Sequence, residues 1–244
     1  LWPYGAREPL FLKSAAIDLD GDGVDEWIVP VASGYEIRRP DAAICRIPCD
    51  LASEISGHDS VYITHRLPAV EAFPLEGEAK KALAFLSDEY ADFAHGPDWS
   101  VQERFKIPVN IEEKWEAEAK MVDIDANSLP DLVVTQTRGT INLEALTQVY
   151  LAAGPFTYPD TPTAVFHARG ALAGAYLMDV NGDGKRDMIF VSIPFGLRNI
   201  VNFFARRKLA VRVEVYLFQD GGFQSAPGYV ESFVLDAPEG RERV

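Results

Sequence analysis

Apolar residues along this chain fall in short runs bounded by acidic, glycine-rich or proline-containing turns. Trp27-Ile28-Val29, Leu132-Val133-Val134 and Met188-Ile189-Phe190-Val191 are three such runs, and each reads as a buried strand. A second apolar landmark follows each: Val61-Tyr62-Ile63, Val149-Tyr150-Leu151 and Val215-Tyr216-Leu217. The latter two lead into Gly-Phe turns, at Gly154-Pro155-Phe156 and Gly222-Phe223. Asp123 lies 26 residues before Val149, and Val149 lies 30 before Asp179, giving a unit of about 56 residues. Repeats of that size built from several short strands indicate propeller blades or a similar array.

One stretch breaks the strand pattern. Between Glu76 and His95, residues Ala79, Leu83, Leu86, Tyr90 and Phe93 recur at helical spacing, and Gly96-Pro97 follows as a helix stop. This predicts a helical insertion at about 75–97; the alternative is a degenerate blade. A second insertion is expected at about 194–209. With these set aside, the pattern predicts an all-β chain spanning 1–244, of about three four-stranded blades in an incomplete or open ring.

Each of the three strand runs is preceded by an oxygen-rich loop. The first is Asp18-Leu-Asp20-Gly-Asp22-Gly-Val24-Asp-Glu26. The second is Asp123-Ile-Asp125-Ala-Asn127-Ser-Leu129-Pro-Asp131, and the third is Asp179-Val-Asn181-Gly-Asp183-Gly-Lys185-Arg-Asp187. Side-chain oxygens at positions 1, 3, 5 and 9 converge, and glycine at positions 4 and 6 lets the backbone curl through φ > 0. With the main-chain carbonyl at position 7 (Val24, Leu129, Lys185), such a loop offers roughly six or seven oxygens at roughly 2.3–2.6 Å, which suits Ca²⁺ better than Mg²⁺. Without a cation the carboxylates would repel one another. An EF-hand would need Glu at position 12 and a following helix. Position 12 here is Val29, Val134 or Phe190, so the order is strand, loop, strand.

These three segments resemble the D-x-D/N-x-D-G-x-x-D loops of FG-GAP and VCBS repeats, the blades of integrin-α-type propellers. The resemblance implies a calcium loop joining neighbouring strands of a blade, and adhesion or ligand binding on a propeller face. The sequence departs from the family in places. The first loop has Glu26 at position 9 with Asp25 beside it, and either acid is a candidate ligand. The second has Ala126 and Ser128 where glycines belong, with Pro130 following, so its site is expected to be the weakest of two or three. The third keeps the pattern best. The FG and GAP peptides are poorly kept, so VCBS-like is the closer description.

Composition narrows the function classes. Of 244 residues, 48% are hydrophobic and 25% charged, as in a globular chain, and no apolar run approaches the ~18–20 residues that span a bilayer. The net charge of −14 opposes nucleic-acid binding. Cys45 and Cys49 fit no zinc pattern; they read as a small disulfide loop in an oxidising compartment, or else as two reduced thiols. The chain begins at Leu1, and extending the repeat from Val215 puts a further motif near residue 245. It is therefore expected to be part of a longer propeller, with the missing blades coming from further sequence or another subunit.

Segment 195–212 is basic and amphipathic, with Arg198, Arg206, Arg207, Lys208 and Arg212 among Ile200, Val201, Phe203 and Phe204. It is a candidate contact for a membrane surface or an acidic partner, weighed against a helix or long hairpin packed on the blade whose basic side pairs with the protein's own acids. Trp2, Tyr4, Trp99 and Trp115 could stack on sugars or fill a core, and His58, His65, His95 and His167 show no metal or triad spacing. No hydrolase, zincin, phosphate-loop or dinucleotide fingerprint is present. The expectation is a secreted, periplasmic or cell-surface module that binds a protein or glycan and is not an enzyme. The alternatives are the propeller part of a carbohydrate- or lipid-active enzyme, or an architectural subunit of a surface assembly.

Overall fold

Four antiparallel meanders of four strands each account for most of the chain. The structure, a computed structural model, describes residues 16–31, 33–39, 42–50, 52–56, 62–75, 80–108, 115–139, 143–170, 173–193 and 207–236. The first sheet is β1 (Ala16–Ile17), β2 (Glu26–Val31), β3 (Gly34–Arg39) and β4 (Ala42–Pro48). A two-stranded hairpin follows, β5 (Ala52–Ser56) with β6 (Tyr62–Arg66). The second sheet is β7 (Ala69–Pro74), β8 (Lys81–Leu86), β9 (Tyr90–His95) and β10 (Val101–Lys106). The third is β11 (Glu116–Val122), β12 (Asp131–Arg138), β13 (Leu143–Tyr150) and β14 (Ala164–Gly170). The fourth begins with β15 (Ala173–Met178), β16 (Asp187–Ser192) and β17 (Lys208–Tyr216). A short hairpin of β18 (Phe218–Gln219) and β19 (Gly222–Phe223) interrupts it before β20 (Tyr229–Asp236) completes the order β15-β16-β17-β20.

The chain divides into two compact units. One comprises Leu1–Pro108 with Glu118–Met121 and Gly154–Tyr158; the other comprises the remainder. In the first unit the first and second sheets share a core of Leu19, Ile28, Tyr35, Ile37 and Ile47 against Leu83, Phe85, Ala94 and Trp99. The Tyr35 ring lies 5.4 Å from that of Phe85, and its hydroxyl donates to the Pro68 carbonyl. In the second unit the third and fourth sheets share Ile124, Val133, Val149 and Phe166 against Met188, Phe190 and Phe218. Phe166 packs edge-on against Tyr216 and Phe223. Each fully buried side chain of this size contributes about 1.5–3 kcal/mol, so these shared cores hold the sheets face to face.

Both units join their sheets by the same main-chain bond. The carbonyl of the second residue of an acidic loop accepts an N–H from the neighbouring sheet, at the first residue of its second strand in one unit and at the residue just before that strand in the other. Lys81 donates to Leu19 at 2.9 Å, and Arg186 donates to Ile124 at 2.7 Å. The second sheet therefore stands to the first as the fourth stands to the third.

This corrects two expectations. No helix occurs among the described residues, and the stretch expected as a helical insertion contains β8 and β9 of the second sheet. The stretch belongs to a further four-stranded sheet, in line with the strand alternative and not the helical one, giving four such sheets among the described residues instead of three. β8 is buried from Ala82 to Leu86 without alternation, because both of its faces are covered, so period 2 is lost. Between the strands, Ser87 closes a tight turn: its Oγ accepts the N–H groups of Glu89 and Tyr90, and its own N–H donates to the Tyr90 carbonyl at 2.9 Å. The 3–4 residue spacing of Leu83, Leu86, Tyr90 and Phe93 straddles that turn and does not mark a helical face.

The second correction concerns the first landmark. Val61 lies outside the described residues, and Tyr62-Ile63 open β6 of the two-stranded hairpin. By register, the counterpart of Val149-Tyr150-Leu151 in the first sheet is Ile37-Arg38-Arg39, since Trp27 pairs with Arg38 as Leu132 pairs with Tyr150. Of the second expected insertion, residues 194–206 lie outside the described residues, while Lys208 and Leu209 open β17.

Candidate metal centres

Each oxygen-rich loop joins the first strand of a sheet to the second, in the first, third and fourth sheets. In the second sheet the corresponding connection is Leu75–Lys80, and Lys81 opens the second strand where the other sheets have Glu26, Asp131 and Asp187. The motif is therefore absent from one of the four sheets.

The three loops share one conformation. Positions 4 and 6 are left-handed in all of them: Gly21 and Gly23 at φ 78° and 86°, Ala126 and Ser128 at 62° and 68°, Gly182 and Gly184 at 79° and 86°. The position-1 carboxylate accepts main-chain N–H groups across the turn. Asp18 takes Gly21 and Gly23, Asp123 takes Asn127 and Ser128, and Asp179 takes Gly182, Asp183 and Gly184, at 2.7–3.2 Å. The position-5 side chain accepts the position-7 N–H: Asp22 from Val24 at 2.8 Å, Asn127 from Leu129 at 2.7 Å, Asp183 from Lys185 at 2.9 Å. That the second loop adopts this form without glycine shows that the turn is imposed by the side-chain oxygens as well as by backbone freedom.

Position 9 is where the three acids go inside. Glu26, Asp131 and Asp187 are all buried. Asp131 accepts the N–H groups of Ile124 and Ala152, both at 2.8 Å. Asp187 accepts those of Val180 at 3.0 Å and Phe218 at 2.9 Å. Each aspartate thus ties the second residue of its loop to the chain leaving the third strand. These bonds use one lone pair on each oxygen, and a carboxylate has others left for a cation.

Burial pushes the Asp131 carboxyl up to about 6. The two N–H bonds oppose that rise, and the neighbouring Asp125 and Asp123 reinforce it. The Asp183 carboxyl is held below its usual range by the Lys185 N–H and the Asn181 amide.

Carboxylates gather most closely in two loops. Oxygens of Asp18, Asp20 and Asp22 lie within 4.8 Å of one another, as do those of Asp123, Asp125 and Asp131. Either group has the chemistry to hold a hard cation. The third loop has Asn181 at position 3, whose amide donates to Asp183 at 3.0 Å. The second loop, expected weakest, is thus one of the two tightest acid clusters.

The first loop contains a residue that the sequence did not flag. Arg39, at the end of β3, sends its guanidinium into the cluster. Its Nε donates to Glu26 at 2.7 Å, and its Nη2 donates to Asp20 and Asp22, both at 2.8 Å. The bond to Glu26, opposed by partial burial, holds Arg39 above its ordinary range, with Asp22 and Asp20 adding to the effect. Asp25 takes no part in these bonds, and Glu26 is the acid at position 9 that points inward.

A cavity of about 540 Å³ in the first unit is lined by Asp20, Glu26, Lys80, Lys81, His95 and Trp99, among others. It joins the loop acids to basic side chains and an indole edge, a lining suited to a polar ligand. His95 bonds the Gly96 carbonyl through Nδ1 at 2.8 Å and stacks on Phe156 at 5.6 Å. Trp99 belongs to the core, and one face of the Trp115 ring lies under the Arg138 guanidinium. Trp2, Tyr4 and His58 lie outside the described residues, as do Arg198, Ile200, Val201, Phe203, Phe204 and Arg206 of the basic segment. Of its other cations, Arg212 pairs with Glu214 at 2.7 Å and Lys208 approaches Asp236 at 4.0 Å. Cys45 and Cys49 are free thiols, partly buried against the first unit's core.

A scan against protein-family models gives no match, and a search of curated proteins gives no significant match. Fold and site together define an all-β protein of blade-like, four-stranded meanders, three of which carry an acidic loop between their first two strands.

Proposed function

We propose that this chain is a calcium-stapled binding scaffold of the FG-GAP/VCBS type, whose sheets are blades of a propeller and whose partner is a protein or a glycan. The observation that carries the reading is the common architecture of the three loops. Each places converging oxygens at a left-handed bend between antiparallel strands, and each closes with a buried acid. Calcium here would staple bends and perform no chemistry. Filling of loops that differ in acid count suits the high calcium outside cells, where sites of roughly 10⁻⁴–10⁻³ M are occupied. A secreted, periplasmic or surface location follows from that.

The test is calorimetric unfolding in calcium and in EGTA, with isothermal titration of the metal. A site filled at 100 times its Kd stabilises the fold by about 2.7 kcal/mol. Calcium should therefore raise the melting temperature by several degrees, and magnesium should do so less. Equal melting in EGTA and calcium would sink the proposal. Glycan-array or pull-down binding that chelation abolishes would identify the partner.

The fourth sheet favours a second, architectural reading. Tyr176, Ile189, Val215 and Tyr229 are paired across all four strands and so share one face, continued by the pairs Val211–Phe233 and Leu209–Leu235. The other face carries Leu177, Met188 and Phe190 into the second unit's core. Tyr176, Tyr229, Phe233 and Leu235 are exposed. An apolar sheet face of this kind associates. Concentration-dependent sedimentation that Phe233→Glu abolishes would support docking of another blade or subunit there.

A further inference from the structure

We propose that Arg39 is the resident cation of the first loop, so that metal ions are confined to the second unit. The inference rests on the calcium reading of the second and third loops.

Register makes the three loops comparable residue by residue. Trp27 pairs with Arg38, Leu132 with Tyr150, and Met188 with Tyr216. The next position, beside the loop's buried acid, is therefore Arg39 in the first sheet, Leu151 in the third and Leu217 in the fourth. One residue further on, Ala152 and Phe218 donate their N–H groups to Asp131 and Asp187. The corresponding residue in the first sheet is Pro40, and proline has no N–H to give. Among the described residues, the second oxygen of the buried Glu26 takes its hydrogen bond from a side chain, where its counterparts take a main-chain N–H. Arg39 supplies a replacement through Nε, and this bond anchors the guanidinium inside the loop.

Three substitutions act together here. A longer acid stands at position 9, an arginine replaces leucine, and a proline removes the competing donor. Once anchored, the same guanidinium reaches Asp20 and Asp22 through Nη2 at 2.8 Å. Those are the carboxylates at positions 3 and 5 that a calcium ion would need. A planar guanidinium bonded to three carboxylates offsets one of their negative charges at every physiological pH and occupies their inward-facing oxygens, because arginine does not lose its proton in that range. Entry of a divalent ion would require breaking all three contacts and placing a fixed positive charge beside it. The second and third loops have no such side chain at the equivalent position, since leucine carries no charge. The first loop therefore keeps its bend without metal, and calcium control falls on the second unit alone.

The experiment counts calcium ions bound at saturation by flow dialysis, for the full chain, Arg39→Leu and Arg39→Gln. Each variant should bind one ion more than the parent, and adding Asp18→Ala should remove the extra ion. Equal counts in parent and variants overturn the inference. A parent that binds no ion, beside variants that bind one, refutes the calcium reading of the other loops and leaves the role of Arg39 standing. Hydrogen exchange on the unmodified chain decides the matter even where the variants fail to fold. The amides of Gly21 and Gly23 should exchange equally in EGTA and in calcium, while those of Ser128 and Gly184 should slow in calcium. Slowing at Gly21 and Gly23 by calcium overturns it.

Discussion

Asp187 accepts the main-chain N–H of Phe218, 31 residues further along the chain, at 2.9 Å. With its second oxygen on Val180, this one carboxylate ties the loop before β16 to the hairpin after β17. Removing it leaves two donors unpaired. Asp187→Ala should therefore cost about 2–5 kcal/mol, measured by urea unfolding in EGTA. Asp187→Asn should cost less, since its carbonyl still accepts. Asp179→Ala is the contrast: its bonds are exposed and water replaces them, so it should cost under about 1 kcal/mol in EGTA. It should instead remove the calcium-dependent part of the stability.

Ala126 and Ser128 hold φ of 62° and 68°, where glycine stands in the sister loops. A side chain in that region costs on the order of 1 kcal/mol. Ala126→Gly and Ser128→Gly should each stabilise the folded chain by up to about 1 kcal/mol and tighten calcium binding at the second loop. Differential scanning calorimetry and a calcium titration on the double variant check both. A loss of stability would mean that these two side chains make contacts outweighing the strain.

Asp131 gives the metal-free chain a distinctive pH response. Burial lifts its folded carboxyl to about 6, above the ordinary value near 3.9 in the unfolded chain. Between those values the folded state holds a proton that the unfolded state has released. The group's contribution to stability therefore rises as pH falls from about 6 to about 4, by up to about 2–3 kcal/mol, and is absent well above 6. Glu36 and Glu144, each held low foremost by hydrogen bonds from arginine, act in the opposite direction. The comparison with Asp131→Asn isolates the effect: in EGTA, the parent should gain stability relative to the variant as pH falls from about 6 to about 4. A difference that stays constant from pH 7.5 to 4.5 would refute it.

Cys49 is pushed up to about 12 by burial first, with Asp92 and Asp50 adding to the shift. Cys45 is raised for the same leading reason. Only the thiolate is nucleophilic. Iodoacetamide at pH 8 should modify both thiols slowly in the folded chain and quickly in urea, read by mass spectrometry. Rapid labelling of Cys49 in the folded chain would contradict its burial.

What could be read from residue order alone was whatever depends on a few adjacent residues. Asp, Asn and Gly at alternating positions dictate a left-handed, side-chain-capped bend wherever they occur, and all three loops form it, including the copy without glycine. The apolar runs after those loops became strands because nothing in them competes with extended backbone. Other features depend on partners far along the chain. Leu83, Leu86, Tyr90 and Phe93 match a helical spacing, yet burial on both faces between neighbouring strands makes them sheet. Register, set by pairing over many residues, places Arg39 beside Glu26 where leucine stands elsewhere. The same pairing sets the exposed Tyr176, Tyr229 and Phe233 on one face. Local chemistry shapes a turn through bonds spanning two to five residues. Which cation settles there, and which surface is left uncovered, depends on long-range packing that brings separate strands together.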